Sequence, residues 1–149
     1  PREPRENIFA NGLGKKILYR GFQIGLTTLL VFWLALQLSG GELILARTMA
    51  FCTLVFSQLF HVFDCKSERY SPFQVGLLSN KLLVIAVICS VCMQLTVVYW
   101  SALQPVFQTT GLNWLHWSII LVAAGWRTYV NALSHYFLKP LARKFGLIF

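Results

Sequence analysis

Four long apolar blocks divide this chain, and each is long enough to cross a lipid bilayer. The first covers about residues 17–38, ILYRGFQIGLTTLLVFWLALQL, and the second about 42–63, ELILARTMAFCTLVFSQLFHVF. The third is LLVIAVICSVCMQLTVVYW at about 82–100, and the fourth is LNWLHWSIILVAAGWRTYVNALSHYF at about 112–137. A hydrocarbon core needs about 20 apolar residues of helix. Isolated strands are excluded there, because they leave backbone polar groups unpaired in lipid. The runs Leu29–Leu36 and Leu82–Cys89 are apolar on every helical face, where a soluble bundle would keep a polar side. Only 12% of the residues are charged, against about a quarter in soluble domains. The sequence therefore predicts an all-α, polytopic membrane protein with four transmembrane helices joined by short loops.

Basic residues give the orientation. Arg2, Arg5, Lys15, Lys16 and Arg20 precede or open the first block; Lys66, Arg69 and Lys81 lie between the second and third; Lys139, Arg143 and Lys144 follow the fourth. The two other connections, Ser39–Gly41 and Ser101–Gly111, contain no Lys or Arg. Lysine and arginine accumulate in cytoplasmic loops, so both termini are expected to be cytoplasmic. The organisation that follows is a cytoplasmic segment at 1–16, a membrane domain at 17–137 and a cytoplasmic tail at 138–149. The net charge of +8 is spread along one membrane face, which points to lipid and not to nucleic acid. Trp100, Trp114 and Trp117 are expected near the outer boundary, and Tyr19 and Tyr136 near the inner one. The first block is too long for the apolar core of a cleavable signal.

Polar residues inside the blocks are the candidate functional positions. Ser57, Gln58, His61 and Asp64 concentrate in the second helix, with steps of three placing Gln58, His61 and Asp64 along one slowly turning stripe. Such residues mark either an ion path or hydrogen bonding between helices. Gly21 and Gly25 form a Gly-x-x-x-Gly motif that lets another backbone approach closely. Arg127 either snorkels to the boundary or pairs inside the bundle, and Arg47 reads as structural. Cys52, Cys89 and Cys92 read as small packing residues, since Cys89-Ser90-Val91-Cys92 lacks a second ligand pair for metal. No phosphate-binding loop, zinc-protease pair or nucleophile elbow occurs, and no soluble stretch is long enough to hold a nucleotide.

Several linked segments carry a resemblance. ARTMAFCTLVFSQLFHVFDCKSE at 46–68 resembles the eighth transmembrane helix of calcium-transporting P-type ATPases and the loop after it. SNKLLVIAVICSVCMQLTVVYWSALQPVFQT at 79–109 is similar to the ninth helix and the connection to the tenth, and PREPRENIFANG at 1–12 to the loop after the sixth. The short Ser39-Gly40-Gly41 connection and the run Ser57–Asp64 look like bacterial members. The resemblance implies the last four helices of a ten-helix pump, part of a longer polypeptide in a bacterial cell membrane. It implies ATP-driven Ca2+ export through a phosphoaspartate, with proton countertransport. The phosphorylated Asp, the ATP and Mg2+ sites and the main Ca2+ ligands would all lie outside this chain, which itself holds no cofactor. Its partners would be the remaining helices and cytoplasmic domains of the same pump, together with the bilayer.

Within that resemblance, Gly21 and Gly25 match the face that the seventh helix presents to the fifth. Gln58 stands where endoplasmic-reticulum pumps place a Glu ligand for Ca2+. An amide oxygen supplies no charge, and Ca2+ collects about 6–8 oxygen ligands. The expectation is one conventional Ca2+ site formed elsewhere, with Gln58 peripheral to it. Two other functions fit the same residues: a self-standing four-helix accessory or interaction protein, and a pump of the same superfamily for Mn2+, Na+ or Mg2+.

Overall fold

In a computed structural model, residues 13–66 and 81–133 are described, without the side chains of Leu13, Phe63–Lys66, Asn131 and Ala132. The order is α1 (Leu13–Leu38), α2 (Leu43–Lys66), α3 (Lys81–Tyr99), a single helical turn α4 (Gln104–Phe107) and α5 (Trp114–Leu133). Among the described residues there is no strand. Helices α1, α2 and α3 are long and apolar enough to cross a membrane. The 20 residues of α5 include His116, Arg127 and Asn131, which dilute its apolar character, and it does not meet the same standard of composition.

Relative to the sequence expectation, α1 starts at Leu13 instead of Ile17, and α2 runs on to Lys66. The connection after α3, expected as a loop, contains α4. Pro105 sits in its first turn, where the missing N–H costs nothing, and Gln108 closes it in the left-handed region at φ 51°.

The α1–α2 turn is fixed by its glycines. Gly40 has φ 67° and Gly41 φ 101°, conformations that side chains strongly disfavour. The Gly41 N–H reaches back to the Leu36 carbonyl at 2.9 Å, the long-range bond of a helix stop with left-handed Gly40 just past its end. The Ser39 hydroxyl then accepts the Glu42 N–H at 3.1 Å, so the next helix begins with a capped donor.

Helix α2 is the hub. In its apolar window 39% is buried against other helices, compared with 11% for α1 and for α3. Small side chains make this possible: Ala46, Thr48, Cys52 and Thr53 are all fully buried. Close helix approach of this kind drives association in lipid, where hydrophobic exclusion supplies no force. Thr48 and Thr53 return their hydroxyl protons to carbonyls four residues back, at 2.8 Å each, so neither hydroxyl is stranded in the core. Val31 and Ala35 of α1 and Ile120 of α5 complete the core around Met49. Edge-on ring pairs join α2 to α5, Phe56 with Trp117 at 5.6 Å and Phe60 with Tyr129 at 5.9 Å.

Helix α3 is attached more lightly. Its buried Gln94 donates to the Cys52 sulfur at 3.1 Å. Beyond it, polar side chains lock the segment after α3 onto its neighbours. Thr109 donates to the Val97 carbonyl at 2.7 Å, Gln104 to the Val98 carbonyl at 2.7 Å, and Tyr99 to the Leu112 carbonyl at 2.8 Å. Thr48 accepts the Thr110 N–H at 3.0 Å, and Arg47 donates to Gln108 Oε1 at 3.0 Å, which gives that arginine a structural partner. Trp117 donates its indole N–H to the Tyr99 hydroxyl at 2.7 Å.

Ala46→Leu adds volume where none is free and should destabilise the bundle by about 1–3 kcal/mol. A lower unfolding midpoint in detergent is the expected reading; an unchanged midpoint would mean that α2 is not tightly enclosed.

Candidate functional site

The intramembrane polar residues do not stay together as one stripe. Ser57 points into the bundle and is 6% exposed, whereas Gln58, one residue on and about 100° further round the helix, is exposed. His61, one turn beyond Ser57 on the same face, is half-buried. The backbone of Asp64 continues α2, but its side chain lies outside the described residues. Gly21 and Gly25 are exposed on α1, and a methyl group added to either would meet nothing within 4 Å. Neither glycine is used for packing among the described residues.

Ser57 and His61 instead meet residues from two other helices. Arg20, Gln23 and Thr27 of α1 and Arg127 of α5 join them around a small cleft of about 30 Å³. Arg127 donates from Nη1 to Gln23 Oε1 at 2.7 Å, a bond between positions 104 residues apart in sequence. Its guanidinium carbon lies 6.0 Å from the centre of the Tyr19 ring, within range of cation–π attraction. The Nε atom of the same side chain is buried without a hydrogen-bond partner among the described residues. So Arg127 pairs inside the bundle, with the neutral amide of Gln23 as its acceptor. The cleft is large enough for a water molecule, and its walls offer several polar groups to hold one.

Among the described residues no three His, Cys, Asp or Glu side chains gather as metal ligands. Cys52, Cys89 and Cys92 are free thiols. The chemistry available here is hydrogen bonding and positive charge.

The family described as "Cation transporting ATPase, C-terminus" matches residues 1–137. The chain belongs to that family. This C-terminal region is 40% identical over 134 residues to a calcium-transporting ATPase of Bacillus subtilis, covering 90% of the chain and 15% of that protein. It is 30% identical over 137 residues to calcium-transporting ATPase 1 of Bacillus cereus, covering 82% and 15%. Against the human calcium-transporting ATPase type 2C member 1 it is 37% identical over 115 residues, covering 76% and 12%. The chain thus spans about a seventh of the length of the Bacillus relatives it matches. Family and apolar helices together make it the C-terminal region of a P-type ATPase, an integral membrane protein.

Two residues of this C-terminal region gained importance only from the structure. Gln23 and Gln94 are amides within apolar helices, and each bridges to another helix. Their rarity in such surroundings was the available signal, since an amide in lipid needs a partner.

Gln23→Leu removes the acceptor of Arg127 and should cost about 1–3 kcal/mol, the desolvation of a buried donor left unpaired. Gln23→Glu should be tolerated, because it keeps the acceptor and adds counter-charge. The reverse order of detergent stabilities would remove the Arg127–Gln23 bond from the forces that hold α1 to α5.

Proposed function

We propose that this chain is the membrane-support region of an ATP-driven Ca2+ export pump of the bacterial cell membrane. It crosses the bilayer four times, with α5 as the fourth span and both ends in the cytoplasm. The exposure of Gln58 carries this reading. An amide in the apolar body of α2, turned away from its own bundle, needs protein or a hydrated path on that side. The remaining transmembrane helices of a longer pump supply such a surface. The open space beside Gly21 and Gly25 supports the same reading, as small residues in membrane helices serve where another backbone approaches.

In this reading the chain braces the mobile ion-binding helices through the Gly21–Gly25 face. Gln58 lies beside the ion path and offers one neutral oxygen to Ca2+, the transported substrate, whose full ligand cage is formed elsewhere. ATP binding, Mg2+ and phosphoryl transfer belong to other parts of the pump. Calcium as cargo rests on the names of the relatives, which describe those proteins as calcium-transporting.

The test uses the full-length pump in inverted membrane vesicles. Gly21→Leu combined with Gly25→Leu should lower ATP-driven Ca2+ uptake severalfold. Gln58→Ala should move half-saturating Ca2+ by about threefold or less, the scale of one neutral hydrogen-bonding group. Normal uptake by a folded double variant would contradict the brace. A shift of tenfold or more for Gln58→Ala would make Gln58 a direct ligand instead of a peripheral one.

A further inference from the structure

The cleft at Arg127 is continuous with a much larger apolar groove between α1 and α5. Gln23, Thr27, Ala123 and Trp126 line both spaces. The groove has a volume of about 720 Å³, and Leu26, Leu30, Leu34 and Val122 form much of its wall. From Leu26 to Leu34 it extends about 12 Å along the α1 axis. The polar end lies near the start of α1 and the end of α5, the end of the bundle that also carries Lys15, Lys16 and Lys81.

Arg127 brings a positive charge to this junction. Its Nη1 is held by a neutral amide oxygen and its Nε is buried without a partner among the described residues. A cation withdrawn from water needs a counter-charge. Among the described side chains the one carboxylate is that of Glu42, which lies at the opposite end of the bundle. Arg20 lines the same cleft.

An apolar helix laid in the groove would fill it and bring no counter-charge to Arg127. A free phosphate would answer the charge and leave the groove empty. One kind of occupant does both. We propose that the α1–α5 groove is a phospholipid site: a phosphate oxygen accepts from the Arg127 guanidinium, and one acyl chain lies along the groove beside Leu26, Leu30 and Val122. The match is one of charge at one end and hydrocarbon along the rest, with a charge-assisted bond to phosphate as the specific contact. The inference requires only that the bundle sits in a bilayer, and it holds whichever ion the pump carries.

The experiment places a benzophenone amino acid at Val122 of the full-length pump in its native membrane, followed by illumination and mass analysis of the α5 peptide. The same probe at Leu82, an exposed residue of α3, reports lipid that merely surrounds the protein. At Val122 the expected adduct has the mass of a phospholipid. Arg127→Gln should reduce its yield by about tenfold, the worth of one charge-assisted hydrogen bond, with no change at Leu82. Leu30→Trp, which fills the groove and leaves the charge alone, should reduce it as well and stands in if Arg127→Gln fails to fold. An adduct at Val122 with another peptide of the pump would overturn the proposal in favour of a helix. Equal lipid yields with and without both substitutions would also overturn it, leaving only surrounding lipid.

Discussion

Every polar group carried into the apolar interior must find a partner there, and helix α2 is arranged around that requirement. Water is not available to accept a stray N–H or hydroxyl, and each one left unpaired costs several kcal/mol. Along α2 the requirement is met at three levels. At the loop end, Thr48 and Arg47 receive the segment that follows α3. In the middle, Cys52 takes the amide of Gln94. Towards the basic end, Ser57 and His61 face the cleft where Arg127 meets Gln23. Small residues between these levels let the neighbouring helices come close enough for the bonds to form.

The long apolar runs made α1, α2 and α3 legible in the sequence to within a few residues, because their length and lack of charge leave no soluble alternative. The short turn between α1 and α2 was equally plain, since Ser39-Gly40-Gly41 has the residues that a left-handed stop demands. The single turn α4 was not: four residues with one proline show no periodicity, and it is held by side-chain bonds from Gln104 and Thr109 to α3. The division of Ser57 and His61 from Gln58 was also hidden. A stripe drawn at steps of three drifts around a helix of 3.6 residues per turn, and which side of it faces the bundle depends on where α1 and α5 lie. For Arg127 the residue type signalled a partner, but no spacing rule links it to Gln23 across 104 positions.

The functional features fall on two different surfaces. Among the described residues Gln58 and the two α1 glycines are turned away from neighbours, as suits a region that spans 15% of a Bacillus calcium-transporting ATPase. Arg127 and its cleft turn inward and open onto the α1–α5 groove. In the proposed function the first surface meets the rest of a pump, and in the proposed lipid site the second meets a phospholipid. The segment from Trp100 to Asn113 ties α2, α3 and α5 into one body.

That the bundle works as part of a larger pump is tested most directly by the size of the native polypeptide that carries it. Peptides from source membranes should place these residues on the same chain as an Asp-Lys-Thr-Gly-Thr phosphorylation sequence, in a protein several times larger than 17.0 kDa. A native polypeptide of only 17.0 kDa would contradict it, since these residues alone provide no place for ATP chemistry.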